Sequence, residues 1–496
     1  MVLKYASNVF RMLRRLTMPF FILVVLIVAI VGSDRYGFED IESVEVQSAN
    51  NNSLTTPVFS IRRTPELLTS TFETEQLTTD LDNLLAATPS GTCLSLAISG
   101  EPIYEYQGDI PLSPGSNSKI VTAAASVLQL GADYTFKTIL AAEREPNEDG
   151  SLLSTDLYVF SGGDPVLMTD AYLELLPEGY SPIRTSADDL ADITVGLNIL
   201  LVQGAVIVDE TRYDDQRTVE SWSEELKEAG HIGSLSSALL DQGYDGLRSN
   251  YSSQLGVENP PPLLPSSDPA VRFAANFDDL LEARNVIILE TARKGSNVAL
   301  EDLTELLTME SPPLSQIVTQ MLFNNDHMTA EMLLKEIGYS RSGEGKTTAG
   351  TSVVTEIIRG SALLETGLLV VDGSGLSTGN QATCTFLQKL IDHEPLQPVF
   401  KAALPTASKD GTSANQFIGS DFSNNLQAQS SRSEAGAALN GYFTTDEGEE
   451  ITISFITNVS EGQEWVSSQL DSFYQELSGY LSAYSTGLPV DELGPR

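Results

Sequence analysis

Cysteine, histidine and tryptophan are scarce in this chain of 496 residues: two, three and two, respectively. Two cysteines, Cys93 and Cys384, cannot build a disulfide framework or the four ligands of a structural zinc site. They could form one bridge, but two buried free thiols are the expectation. His231, His327 and His393 are far apart and lack metal-ligand spacing, so no metal site is expected and no cofactor is implied. Positive charge is also in short supply: 28 Lys plus Arg stand against 68 Asp plus Glu, for a net charge of −40. So acidic a chain repels polyphosphate at long range, which argues against a nucleic-acid partner. The acidity itself reads as solubility or adaptation to a saline exterior.

Long apolar runs are absent but for one. Lys4, Arg11, Arg14 and Arg15 precede an uninterrupted run from Leu16 to Gly32, closed by Ser33-Asp34. At about 1.5 Å per residue the run spans roughly 25 Å, slightly short of a bilayer core. Basic residues before an apolar run read as a signal peptide or signal anchor with the basic end inside. No clear A-x-A cleavage site follows, so residues 1–34 are read as an N-terminal membrane anchor. The remainder is exported either way, to the periplasmic face of the inner membrane. Residues 35–64, with the aperiodic QSANNNSLTTP, read as a flexible tether.

Beyond the tether, Leu77, Leu81, Leu84 and Leu85 follow helical spacing. CLSLAI (93–98) and IYEY (103–106) read as strands turning at Gly100. An Ala-rich helix then runs to Leu130, with Gly131 as its C-cap. From about 145 to 260 the texture changes to short strands, such as 157–160 and 205–209, ending in the Pro-rich ENPPPLLPSSD (258–268). Helices are expected at 269–283 and 328–337. The chain closes with strands at 437–443 and 451–456 and an amphipathic helix at 465–481.

One constellation carries chemistry. Ser116-Asn117-Ser118-Lys119 is an S-x-x-K at the expected start of a helix, where residues three apart share a face. A serine needs a base to act as nucleophile, and a lysine serves if burial and the positive helix end depress its pKa. Backbone N–H groups at the same helix start can hold an oxyanion. On its own such a spacing arises by chance in a chain this long; its context gives it weight.

That context is a set of strings in order: IPLSPGSNSKIVTAAASVLQLGADYTFKT from Ile110, FSGGDPVL from Phe160, GAVIVDETRYDD from Gly204, SPPLSQIV and AEMLLKEIG between Ser311 and Gly338, VDGSGLS from Val371, ALPTASKDGTS from Ala403 and LNGYFTT from Leu439. Over about residues 65–485 the chain resembles the D-Ala-D-Ala carboxypeptidase/endopeptidase family of low-molecular-mass class C penicillin-binding proteins. The resemblance implies an α/β (α+β) fold: a penicillin-binding, serine β-lactamase-like transpeptidase domain formed by 65–145 plus 269–490, with a large β-rich insertion at 146–268. It implies acylation of Ser116 by a peptidoglycan stem peptide, with Lys119 as base, and β-lactams as further ligands.

The chain departs from the family pattern twice. The S-x-N element before Ala330-Glu331 reads Asn325-Asp326-His327, so the relaying hydroxyl is missing. Asn325 cannot do acid–base work; His327 can in principle, although it fills the asparagine slot. The K-T-G element before LNGY reads Gln429-Ser430-Ser431, which removes the lysine that helps bind the substrate carboxylate. Arg432 is adjacent and would substitute with a small register shift. Two readings stand: a working hydrolase with altered auxiliaries, which could also take other esters or amides, and a pseudoenzyme that binds peptidoglycan or a wall-assembly partner. SGEGKTT (342–348) fails the phosphate-loop pattern because Ser340 stands where glycine is needed. GSGLS (373–377) is read as a glycine-dependent turn that the family resemblance places near the cleft, and Asp164 and Asp209 as turn and strand-end residues.

Overall fold

The computed structural model describes residues 65–484, apart from short stretches at 153–154, 177–181, 230–231, 248–262, 296–297, 362, 364–366, 447 and 461–463. The segments read as anchor and tether, His231 and part of the Pro-rich linker lie outside the described residues. Among those described, no helix is long and apolar enough to cross a membrane.

In chain order, helix α1 (Pro65–Leu85) leads into the hairpin β1 (Gly91–Ile98) and β2 (Glu101–Tyr106). A 3₁₀ turn, Gly115–Asn117, precedes α2 (Ser118–Leu130). Then come β3 (Lys137–Ala142), β4 (Leu157–Phe160), β5 (Val206–Asp209), α3 (Pro269–Glu282), β6 (Arg293–Lys294) and β7 (Thr304–Glu310). Helices α4 (Leu314–Phe323), α5 (His327–Ser342), α6 (Thr347–Gly360) and α7 (Cys384–Ile391) follow. The chain ends in β8 (Leu426–Ser433), β9 (Gly436–Thr444), β10 (Glu450–Asn458) and α8 (Leu470–Ala483).

The principal sheet has strand order β8-β9-β10-β1-β2, with every neighbour antiparallel. It is covered on both faces, as the side-chain alternation of β1 and β10 requires. Leu94, Leu96, Ile451, Ile453 and Phe455 pack with Leu77, Leu81 and Leu85 of α1 and with Phe473 and Leu477 of α8. Cys93, Ala438, Tyr442 and Ile456 face the other way, into a core built from α2, α4, α5, α6 and α7. Both N-terminal and C-terminal helices therefore share one face, and the helix that follows Ser116 is buried under the other.

A second sheet, β6-β5-β4-β3-β7, has its own core around Phe273 and Phe277 of α3. Its strands come from 137–310, wider on both sides than the 146–268 stretch read as inserted. The reason is pairing: β3 hydrogen-bonds to β4 and β7, partners that local sequence texture does not reveal.

The cysteines are bonded to each other rather than free. Cys93 of β1 and Cys384 at the start of α7 form a disulfide across a sequence separation of 291, with Cα atoms 5.9 Å apart. The expectation of two buried thiols fails because the inner face of β1 abuts the α7 N-terminus, a contact visible only in three dimensions.

Candidate active site

Ser116 lies in the 3₁₀ turn, two residues before α2 rather than at its first turn as such, and is half-buried. The turn is pinned to the principal sheet. Asn458 at the end of β10 accepts from Ser113 N at 2.8 Å and donates to Ser113 O at 3.0 Å, and Leu112 bridges Ala382. Gly115 takes φ +53°, and a Cβ there would stand 2.8 Å from Ser431 Oγ of β8. Glycine is needed at this point both for the left-handed turn and for the approach of the edge strand.

Lys119 is fully buried, a rare state for a lysine without a function or a partner. Its Nζ donates to the carbonyl of Ser374 at 2.8 Å and lies 2.9 Å from His327 Nδ1. Burial pushes its pKa from 10.5 down to about 7, against the pull of Asp326, Asp372 and Glu331, whose charges favour the ammonium. The amine is thus poised to be neutral near physiological pH, as a general base requires.

The loop that supplies Ser374 is held from four directions. Glu331 of α5 accepts from Gly373 N at 3.1 Å and Ser374 N at 2.8 Å. Burial and the neighbouring Asp372 push its carboxyl up. Asp372 accepts from Gly375 N (2.8 Å), Ser377 N (2.6 Å), Asn380 Nδ2 (2.6 Å) and Trp222 Nε1 (2.9 Å). Thr122 of α2 donates to Gly373 O at 2.8 Å. Gly375, at φ +80°, presses on the catalytic turn so closely that a Cβ would meet Gly115 O at 1.9 Å.

Of the residues singled out in sequence, the structure sets His327 against Lys119 and Asn325 against Gln429, puts Ser116 in the turn beside β8, and leaves Ser430 and Arg432 facing elsewhere. Asn325 sits between α4 and α5 in a left-handed conformation, φ +55°. It accepts at Oδ1 from Gln429 Nε2 at 3.1 Å. Asp326 caps α5 by accepting from Thr329 N at 3.1 Å, which turns His327 toward Lys119. On β8, Gln429 and Ser431 face the Ser116 turn. Ser430 donates to Gln416 Oε1 at 2.8 Å. Arg432 points to the opposite side of the strand, where it pairs with Asp471 of α8 at 2.8 Å and donates to Val466 O at 2.8 Å. There it lines a cavity of about 460 Å³ against α8. The register shift that would bring Arg432 toward Ser116 does not occur, because β8 pairs with β9 without a bulge from Leu426 to Ser433.

Sequence reading missed the supporting shell. Glu331 serves in sequence only as a ruler for locating S-x-N, and the turn at GSGLS, expected near the cleft, gives no sign that the Ser374 carbonyl and the Asp372 carboxylate organise the lysine. Two donors from the 137–310 region, Trp222 and Gln242 (to Asp326 at 3.2 Å), carry no local signal at all. Asp164 and Asp209 behave as read. Asp164 accepts from Val166 N and from the Thr185 hydroxyl, and Asp209 accepts from Thr211 N.

This arrangement, a serine one turn from a buried lysine beside the edge of a helix-covered antiparallel sheet, defines a penicillin-binding-type fold. Solved structures agree: the chain superimposes on penicillin-binding protein 4 of Haemophilus influenzae with a TM-score of 0.64 at 17% identity, covering 81% of this chain and 99% of that one. A predatory endopeptidase of Bdellovibrio bacteriovorus, solved with an immunity protein, gives a TM-score of 0.50 at 16% identity over 82% of this chain and 94% of its own. The model of the D-Ala-D-Ala carboxypeptidase 3 (S13) family matches residues 74–260 and 257–477, and the chain belongs to that family. Among curated relatives, a D-alanyl-D-alanine carboxypeptidase of Actinomadura sp. is 26% identical over 446 residues, 77% of this chain and 80% of that protein. Carboxypeptidase DacB of Mycolicibacterium smegmatis is 26% identical over 379 residues, 73% and 75%.

Proposed function

We propose that this protein is a serine-type D-Ala-D-Ala carboxypeptidase/endopeptidase acting on peptidoglycan stem peptides through an acyl-enzyme on Ser116. The observation that carries this reading is the buried Lys119, with a pKa near 7 and two of its three hydrogen-bond directions occupied by Ser374 O and His327 Nδ1. The neutral amine then serves as base for the residue one turn earlier in sequence. It takes the Ser116 Oγ proton as Oγ attacks the carbonyl of the penultimate D-Ala. The Oγ–C bond forms, the C–N bond breaks, and the proton passes to the leaving amine. Water then hydrolyses the ester with Lys119 again as base. Membership of the carboxypeptidase family and the two carboxypeptidase relatives support the reaction type.

The same reading makes β-lactams acylating ligands of Ser116 and places the protein outside the cytoplasm, on the periplasmic face of the inner membrane. Two features support export. One is the basic-then-apolar N-terminal segment. The other is the Cys93–Cys384 disulfide, a bond that persists in oxidising compartments.

The test is labelling with a fluorescent penicillin, alongside release of D-Ala from a D-Ala-D-Ala peptide. Both are expected in the wild type and absent in Ser116→Ala. A folded wild-type protein that neither labels nor releases D-Ala would leave the fold as a peptidoglycan-binding pseudoenzyme.

A further inference from the structure

The face of β8 that lies against the Ser116 turn presents Gln429 and Ser431 and no positive charge among its described residues. Gln429 is fully buried, and its amide is bonded to Asn325, so a neutral amide pair stands where the family resemblance implies a lysine and a serine. Gln429 Oε1 is buried and has no hydrogen-bond partner among the described residues. What this position adds to the field beside Ser116 is therefore an acceptor dipole. The one cation of the strand, Arg432, is on the opposite face and already engaged by Asp471 and Val466 O. The charges that pull on Lys119 are acidic, Asp326 and Asp372 foremost, while burial pushes the Glu331 carboxyl toward its protonated form. Among the described residues of this strand, a docked carboxylate finds no free cation.

We propose that Gln429 and Asn325 make this site select acyl donors whose leaving side ends in an uncharged carboxamide rather than a free carboxylate. The inference rests on the reading of Ser116 as the acylated serine. A carboxamide both donates and accepts, as the amide-lined wall does, and is not repelled by the acidic residues. Charge-assisted hydrogen bonds are about twice as strong as neutral ones. Exchanging a lysine anchor for a glutamine therefore shifts discrimination between the two ends by about ten- to a hundredfold.

The experiment compares kcat/KM for two peptides, diacetyl-L-Lys-D-Ala-D-Ala and the same peptide with a C-terminal carboxamide. The wild type is expected to favour the carboxamide at least tenfold. Gln429→Lys should move the ratio toward the acid by ten- to a hundredfold. Because Gln429 is buried, the paired variant Asn325→Ser with Gln429→Lys guards against misfolding of the single one. A wild-type ratio below tenfold in favour of the carboxamide overturns the inference, as does an unchanged ratio in both folded variants. If the acid is preferred and Lys409→Ala removes that preference, the missing cation resides in the exposed turn that pairs with the start of β8, and the inference falls. Preference for the acid with Ser116-dependent turnover sinks this inference alone; turnover of neither peptide sinks it together with the hydrolase reading.

Discussion

Lys119 sets up a conflict between stability and function that can be measured. Moving its pKa from 10.5 to about 7, at about 1.4 kcal/mol per pH unit, means that folding works against about 5 kcal/mol of unfavourable protonation equilibrium. Lys119→Met fills a similar volume without the amine. It forfeits the contacts to Ser374 O and His327 Nδ1, worth about 1 kcal/mol each. The variant is therefore expected to be about 3 kcal/mol more stable than the wild type at pH 7, and inert toward penicillin. The sign of the pH dependence follows from proton counts. Between pH 7 and 10.5 the unfolded chain holds a proton that the folded amine has released. Wild-type stability from this group thus rises with pH across that window, and the advantage of the methionine variant shrinks and then reverses by about 1–2 kcal/mol, the worth of the forfeited contacts. Glu331, whose carboxyl is pushed up by burial, contributes with the opposite slope, but it is present in both proteins and largely cancels in the difference. Chemical denaturation at pH 7 and pH 10 reads both effects. A variant less stable than wild type at pH 7, or a gap that fails to narrow at pH 10, refutes the argument that burial depresses this lysine.

Three further outcomes follow from the same geometry. His327→Asn supplies a side-chain carbonyl that accepts from Lys119 as the imidazole does, and should keep penicillin acylation within tenfold of wild type. His327→Ala removes the acceptor and should slow it by about ten- to a hundredfold; stopped-flow or gel-based labelling rates distinguish them. Gly375→Ala places a methyl against Gly115 O and displaces the turn carrying Ser116, so labelling should fall at least a hundredfold while circular dichroism stays native. Cys93→Ser opens a loop closed over a separation of 291 residues. Loop-closure entropy puts the loss at about 5–6 kcal/mol, seen as a lower denaturant midpoint; an unchanged midpoint would show that the contact of β1 with α7 holds without the bond.

The parts of this architecture legible in sequence are those with a local period or a local chemical need. The leucine spacing of 77–85 gives α1, whose Leu77, Leu81 and Leu85 are buried. The apolar alternation of 451–456 gives β10, and Gly131 ends α2. The S-x-x-K spacing marks the start of α2, with Ser116 in the 3₁₀ turn before it and Lys119 in its first turn. Counting back from Ala330-Glu331 leads to His327, which lies beside Lys119, and to Asn325, which lies beside Gln429, because α5 and its capping Asp326 impose a fixed offset. What stays illegible is pairing at a distance. The disulfide joins residues 291 apart. The orientation of Arg432 depends on the face of β8 it occupies, and that in turn depends on the register with β9. The extent of the second sheet depends on β3 finding β7 across more than 160 residues of intervening chain. None of these leaves a periodic trace, so no reading of local pattern recovers them.

The same long-range pairing explains why the 137–310 region bears on the site at all. Helix α5 carries His327 and Glu331 at its first turns and Lys335 and Glu336 further along, all of the latter three fully buried. Glu336 is an unpaired charge unless the second region is present. Arg212 meets it at 2.6 and 2.9 Å, Tyr213 at 2.8 Å, and Tyr134 from the loop after α2 at 2.7 Å. Lys335 is answered by Asp214. At the other end of the helix Gln242 holds the capping Asp326, and Trp222 holds Asp372 in the loop that presents Ser374 to Lys119. Leaving a buried charge unpaired costs about 3–5 kcal/mol, so the helix cannot shift along or about its axis without breaking contacts at both ends. The inserted chain thus fixes the azimuth of α5, and with it the 2.9 Å separation of His327 from Lys119. A residue such as Arg212, far from Ser116 in sequence, accordingly acts on Lys119 by holding the helix on which the imidazole is mounted.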